Sequence, residues 1–596
     1  FGLTLALAVQ ALIIIGGTLG LMPLTGVVTP FLSYGRSSML SNIAAVAVCA
    51  AIARRRGPVR VAFVRPARAI GFALASLMAI VIGRATLVQV VYADDTAARA
   101  NLTQQADGGY RYQYNPRLVA AGRSIRRGTI YDRSGLPMAT SRFDEVQKFA
   151  ATYRTLRLPL SGGCDDGRAR CYPLGGLAFH VLGDSDRQTN WAARNTSFAE
   201  KDFDVRLQGF DDHPQTIEIT QPRTGRVHSV VRRDYSELLP LVRHQRDREH
   251  PDVVRILSRD RDVHLTLDAR MQVAVARALQ VRTESAGAHA GAAIVLDPAS
   301  GGLLASASYP WPTPEQAERG AAAQTIPQQQ LLDRARYGLY PPGSTFKLVT
   351  AVAALRTSQD DQHSEFICTR LPDGRVGGRV RGASRPIRDD PADHQPHGRV
   401  DLHRALVVSC NPFFAQLAQR VGAKALDETA SAVQIAAAPR PVLEHLPATL
   451  THAGYGQGDV VASPMRMAGV AAALAADGVL RPVVSVAQAG AAREPGTRWL
   501  SAAGAAQMRR YMRDVVTEGT GRVLAGNRVS IAGKTGTAEV DGKPSHSWFV
   551  GFAPYAGNGS RIAFATIVEH AGYGARTAAP LAGDIVNSAA ELGLIR

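Results

Sequence analysis

With 596 residues the chain is too long for one hydrophobic core, and three or four folded units are expected. Its formal net charge is +18, but the excess is spread along the sequence. With no basic patch interleaved with aromatics and no finger or helix-turn-helix pattern, that charge excludes nucleic-acid recognition and suits a solvated surface beside anionic lipid.

The basic residues are almost all arginine. The six lysines are Lys148, Lys201, Lys347, Lys424, Lys534 and Lys543. Arginine stays charged, whereas a buried lysine can become a neutral base, so each lysine is a candidate for chemistry. Of the five cysteines, Cys49 lies in an apolar segment. Cys164 and Cys171 flank a polar loop, Asp165 to Arg170, and could form a local disulfide in an oxidising compartment. Cys368 and Cys410 are far apart and the sequence does not pair them.

The chain opens at Phe1 inside an apolar run, as a sequence begun partway through a longer reading frame would. Residues 1–24 and 69–92 are long and apolar enough to span a bilayer, and 37–53 form a shorter apolar segment. Arg54, Arg55, Arg56, Arg60, Arg65 and Arg68 lie between the second and third. That density of arginine places the loop on the cytoplasmic side. Residues 21–36, and everything after about residue 93, are then outside. The outer loop reads Gly20-Leu-Met-Pro-Leu-Thr-Gly26 and Thr29-Pro-Phe-Leu-Ser-Tyr-Gly35-Arg-Ser-Ser38. It resembles the last extracytoplasmic loop of the SEDS family of peptidoglycan polymerases (shape, elongation, division and sporulation). The resemblance covers residues 1–55 and implies a polymerase portion fused to the remainder of the chain. It does not imply that this stretch polymerises, because that family's essential acidic residue lies upstream of it.

Residues 93–255 are polar. Asn115-Pro-Arg117, Arg127-Gly-Thr-Ile-Tyr-Asp-Arg133-Ser-Gly135, Tyr172-Pro-Leu-Gly175, His180-Val-Leu-Gly183 and residues 200–209 resemble the pedestal motifs of class B penicillin-binding proteins. They read as structural. Residues 232–256 are charge-dense and lead into the next unit.

From residue 262 the pattern changes. Residues 263–268 alternate as a strand does and 269–280 read as a helix. Ala292 to Asp297 and Leu303 to Ser308 form a hairpin about the turn at Gly301.

Three chemical motifs lie beyond the hairpin. In Tyr340-Pro-Pro-Gly343-Ser344-Thr-Phe-Lys347 the prolines break structure before a helical run, so Ser344 sits at a helix start with Lys347 on the same face. That spacing offers a nucleophile and its base. Ser409-Cys410-Asn411 falls between helical runs, with a hydroxyl to relay a proton and an amide to hold a carbonyl. Lys534-Thr535-Gly536-Thr537 reads as a strand, with Asp541-Gly542 as the turn, Ser547 to Phe552 as the next strand and Ile562 to Val568 as a third. There Lys534 offers charge, Thr535 and Thr537 hydroxyls for a carboxylate, and Gly536 room for substrate backbone. Trp548 and Phe549 read as core.

The order Ser-x-x-Lys, Ser-x-Asn, Lys-Thr-Gly resembles the catalytic signature of penicillin-binding proteins and serine β-lactamases. Gly454-Tyr-Gly-Gln-Gly458 and Ser463-Pro464 resemble further parts of the class B enzymes, and the likeness covers residues 93–596. It implies a multidomain chain: membrane helices, an α+β pedestal, then a transpeptidase domain with an antiparallel sheet flanked by helices. The boundaries read as 1–55, 56–92, 93–255 and 256–596. The implied function is a serine D,D-transpeptidase of the bacterial cytoplasmic membrane, working outside it in cell-wall synthesis. Ser344 is the implied nucleophile and Lys347 its base. Ser409 relays a proton, Asn411 positions substrate, and Lys534, Thr535 and Thr537 hold the terminal carboxylate. The implied oxyanion hole is the backbone N–H of Ser344 and Thr537.

Implied partners are stem peptides ending in D-Ala-D-Ala, β-lactam antibiotics, membrane lipid, the polymerase portion and other cell-wall proteins. No cofactor is implied. No metal site is expected either, since His394 and His397 beside Asp389, Asp390 and Asp393 lie in a loop without a second compact ligand pair. Three rivals use the same residues. A D,D-carboxypeptidase or β-lactamase would pass the acyl group to water. A non-enzymatic penicillin sensor would hold it. A bifunctional class A enzyme would need a glycosyltransferase domain that is not found before residue 262.

Overall fold

The computed structural model describes residues 2–18, 36–54, 64–105, 108–158, 160, 164, 170–183, 198–221, 225–312, 327–357, 364–438, 444–487, 495–557 and 559–596. The outer loop at 20–35 and Arg55, Arg56 and Arg60 lie outside them. Two units result, one of residues 1–125 with 210–259, the other of 126–209 with 260–596. The range expected as a pedestal, 93–255, is therefore shared between them. The cause lies in long-range pairing. Ile130 and Tyr131 run parallel to Val263 and His264, and the Asp262 carboxylate accepts the backbone N–H of Thr129 at 2.7 Å.

The first unit begins with helices α1 (Gly2–Thr18), α2 (Arg36–Ala53) and α3 (Val64–Thr86), the last extended by a π turn over Leu87–Val91. Among the described residues only Arg68–Val91 is long and apolar enough to cross a membrane, at 24 residues, with 6% of its apolar window buried within the chain. Two short hairpins come next, pairing 101–104 with 110–113 and 215–220 with 227–232. A small core of Leu118, Ile125, Phe210, Leu238 and Ile256 lies in the same unit.

The second unit is built on one antiparallel sheet. Its strands are β1 (Gly291–Leu296), β2 (Leu303–Tyr309), β3 (Ala532–Val540), β4 (Lys543–Ala553) and β5 (Ile562–Val568), in the order β3-β4-β5-β1-β2. Every residue of β1 and β5 is buried, because both faces are covered. Side chains alternate between two cores, as the period of a strand requires. Ala292, Ile294, Ala565, Ile567, Trp548 and Val550 enter one core, with Met467, Val470 and Leu474 of a covering helix, Pro464–Ala475. Ala293, Val295, Phe564 and Phe549 enter the other, with Val275 and Leu279 of α4 (Ala269–Ser285) and Ile585 and Val586 of the helix Ala578–Glu591.

The hairpin and the strand Ile562–Val568 fall where the sequence places them. The segment expected as a strand at 263–268 keeps only Val263–His264 in a ladder. Its next residues are held by single links instead: the Thr266 hydroxyl reaches Leu303 O at 2.9 Å and Val484 O at 2.8 Å. Helix α4 is capped by Asp268, which accepts from the N–H of Arg270 and Met271, and runs to Ser285 rather than residue 280. It stops before Gly287, whose φ is +66°. The cysteines flanking the polar loop, Cys164 and Cys171, are joined as a disulfide.

Trp548 is fully buried, as expected of core, and its indole N–H donates to Pro341 O at 3.1 Å. It thus ties the sheet to the turn before Ser344. Trp548→Phe keeps an aromatic ring but orphans that carbonyl, and a loss of about 1–3 kcal/mol in urea unfolding is expected. An unchanged midpoint would show that the hydrogen bond contributes nothing.

Candidate active site

The turn carrying Ser344 is braced from two sides. Gly343 has φ +53°, and a Cβ there would lie 2.7 Å from Thr537 O, so β3 and the turn can meet only at a glycine. Its N–H donates to Gly456 O at 3.0 Å, and Thr350 Oγ1 donates to Gly454 O at 2.8 Å. The 454–458 segment thereby fixes the turn. Ser344 lies in a 3-10 turn, Gly343–Phe346, that runs directly into helix α5 (Lys347–Thr357). The helix start expected at Ser344 is present, with a tightened first turn.

Ser409 ends helix α6 (Leu402–Val408), and Asn411 opens helix α7 (Asn411–Val421). Ser409 has φ +64°, a left-handed conformation that a serine adopts at a cost of about 1 kcal/mol or more. That bend turns its hydroxyl toward the two lysines. The Asp389 carboxylate accepts the Asn411 backbone N–H at 2.5 Å, and the Asn411 amide donates to Arg388 O at 3.0 Å. One amide N–H of Asn411 is left for substrate.

Lys347 is fully buried. Its amine donates to Ser409 O, to Ser409 Oγ at 3.0 Å and to Asn411 Oδ1 at 2.7 Å. Lys534, equally buried on β3, donates to the same Ser409 Oγ at 2.9 Å and to Thr535 O at 3.1 Å. Burial pushes Lys347 down to about 8, against a partial opposing pull from Asp389. Burial, then the charge of Lys347, pushes Lys534 well below its ordinary range. One hydroxyl therefore stands between two amines that resist being charged together. When Lys347 is neutral, Ser409 can donate to its lone pair and accept from Lys534, which is the geometry of a proton relay.

Ser344, Ser409, Asn411, Thr535 and Thr537 all line one cavity of about 760 Å³. Lys347 and Lys534 lie buried beside it. The fold thus gathers all the sequence-predicted residues. Gly536 differs in its reason: a Cβ there would be 2.8 Å from Thr345 and 3.1 Å from Pro342 O. The space it leaves is filled by the Ser344 turn.

Other wall residues lie outside the three catalytic motifs. Thr520 shares a hydrogen bond with Thr535 at 2.6 Å, and Tyr573 donates to Asp390 at 3.0 Å. Tyr455, Gln457 and Gly458 come from the glycine-rich 454–458 segment, and Glu539 and Arg576 are among the remaining wall residues.

Behind Asn411, the ligand atoms of Cys368, Asp389, His397 and Cys410 lie within 4.8 Å of one another. His397 and Asp389 belong to the loop that, by sequence, lacks a second ligand pair. The fold supplies that pair as two buried thiols, from the strand Phe366–Arg370 and from the residue before α7. Two thiolates, an imidazole and a carboxylate could hold a zinc-type ion. Asp389 is the link to the active site. Asp389→Asn removes a charge-assisted hydrogen bond, and penicillin acylation about tenfold to a hundredfold slower is expected in stopped-flow measurements. Unchanged acylation would remove Asp389 from any positioning role.

The chain matches the family described as penicillin binding protein transpeptidase domain over residues 291–587. Residues 1–57 match the cell cycle protein family of the FtsW, RodA and SpoVE type. It is 29% identical over 371 residues to the peptidoglycan D,D-transpeptidase PbpA of Mycobacterium tuberculosis, covering 55% of this chain and 72% of that one. PbpA of Mycolicibacterium smegmatis is 31% identical over 347 residues, covering 52% and 68%. The solved imipenem acyl-enzyme of M. tuberculosis penicillin-binding protein A superposes with a TM-score of 0.56 at 25% identity, over 79% of this chain and 100% of that one.

Proposed function

The chain belongs to the class B penicillin-binding proteins, its N-terminus matching the SEDS family, and we propose that it is a peptidoglycan D,D-transpeptidase acylated at Ser344. The observation that carries the reading is the Ser409 hydroxyl, 3.0 Å from Lys347 Nζ and 2.9 Å from Lys534 Nζ, beside the cavity that Ser344 lines.

Neutral Lys347 takes the proton of Ser344 as its Oγ attacks the penultimate D-Ala carbonyl of a donor stem. The oxyanion that forms is held by the backbone N–H groups of Ser344 and Thr537. The proton passes through Ser409 to the leaving nitrogen, the C–N bond breaks, and the last D-Ala departs. An amine from a second stem then attacks the ester, its proton returning to Ser344 Oγ as the cross-link forms. Lys534, Thr535 and Thr537 hold the donor's terminal carboxylate, and Asn411 holds a stem carbonyl. A β-lactam enters as the donor does, but its leaving nitrogen stays tethered, so Ser344 remains acylated.

We place the Arg68–Val91 span in the cytoplasmic membrane with the catalytic unit outside, supported by the arginines that precede it. Residues 93–255 serve as pedestal, 256–596 as transpeptidase domain and 1–55 as the polymerase-derived segment. The full chain supplied with lipid-linked precursors and a polymerase should yield cross-linked dimeric stems with released D-Ala. Released D-Ala without cross-links would make it a carboxypeptidase. Stable acylation by penicillin without peptide turnover would make it a sensor.

A further inference from the structure

The apolar helix ends in a groove that the transpeptidase reaction does not use. The groove, about 620 Å³, lies wholly within the first unit. Arg84, Val88 and Tyr92 line it from the helix side, and Arg99 and Arg232 from the segments beyond. Nearby arginines are paired: Arg233 with Asp212, and Arg243 with Asp94. Arg84, Arg99 and Arg232 have no ion pair among the described residues. Two carboxylates share the wall, Asp95 and Asp234, and Asp234 already accepts the Ser236 backbone N–H at 2.8 Å. Arg233, the fourth arginine of the wall, is neutralised by Asp212, so the other three guanidiniums against two carboxylates leave one net positive charge.

We propose that this groove binds the headgroup of an anionic phospholipid, its phosphodiester held by Arg84, Arg99 and Arg232. The inference rests on the reading of Arg68–Val91 as a membrane span. In that reading the apolar stretch ends at Val91, and Tyr92 marks the outer interface, where aromatic rings settle. Arg84 lies inside the apolar stretch, where a charged side chain is costly unless it extends to the interface and meets an anion. Around the groove Leu87, Val90 and Val91 are 43%, 71% and 60% exposed. Exposed apolar side chains beside a guanidinium cluster match the two chemical halves of a lipid. The single net charge fits a phosphodiester better than the several charges of a diphosphate, and the volume exceeds one phosphate, leaving room for its glycerol substituent.

The test uses the full chain in nanodiscs of phosphatidylcholine, alone or with phosphatidylglycerol, with co-purified lipid read by native mass spectrometry. The wild type should retain phosphatidylglycerol at least about tenfold better than the triple variant Arg84→Gln, Arg99→Gln, Arg232→Gln. Penicillin labelling should be equal in both, showing that the variant is folded. Equal retention of phosphatidylglycerol would overturn the proposal. Preferential retention of an added polyprenyl diphosphate would assign the groove to a lipid-linked precursor and overturn the phospholipid. Failure to enter phosphatidylcholine discs would overturn the span itself, and the proposal with it. Entry without selective retention overturns the proposal alone.

Discussion

Lys347→Met should react with penicillin at least about a thousandfold more slowly than the wild type, the range set by loss of a positioned base. Methionine is close in length and apolar, so the buried site stays filled and folding is retained. Lys347→Arg should do no better, since a guanidinium cannot give up its proton at any working pH. The wild-type pH profile carries the same signature. Burial brings the Lys347 amine down to about 8, so below that pH most of it is ammonium without a lone pair. Acylation should therefore rise about tenfold from pH 7 to pH 9 and then level off. A flat profile through that range, or an active Lys347→Met, would assign the base elsewhere.

Lys534→Met should lower acylation about a hundredfold, as losing one electrostatic contact to the reacting groups commonly does. The pH profile should stay where it is, because Lys347 is brought down by its own burial and Lys534, pushed well below its ordinary range, adds no charge where Lys347 titrates. The same variant frees Ser409 Oγ of one of its two amine partners. A limb moved to higher pH would mean that Lys534 carries its charge while Lys347 titrates. An unchanged rate would remove it from the site.

The chemistry was legible in the sequence wherever it depended on short spacing. Ser344 and Lys347 share one turn, Ser409 and Asn411 share one helix connection, and Lys534 to Thr537 share one strand, so local patterning located all of them. Ile562 to Val568 was legible because strongly apolar residues run between turn signals. Contacts between distant segments left no such trace. Nothing near Cys368 announces Cys410, and nothing near Asp389 announces that it holds the Asn411 N–H. The continuous polar stretch 93–255 gave no sign that Ile130 pairs with Val263, a parallel pairing that divides it between two units. Residues 263–268 alternate as a strand does, yet beyond His264 they are held by single links, Leu265 N–H to Tyr131 O at 2.8 Å and a lone bridge to Val486, so the named ladder stops after two residues. At Gly536 the residue type was legible as a close approach, while the neighbour that approaches, the Ser344 turn, required the fold.

The most direct test of acylation at Ser344 is to treat the full chain with penicillin, digest it, and locate the covalent adduct by mass spectrometry. A penicilloyl group is expected on the peptide containing Ser344, and none in Ser344→Ala. An adduct on another residue, or undiminished labelling of Ser344→Ala, would contradict the assignment of Ser344 as the nucleophile.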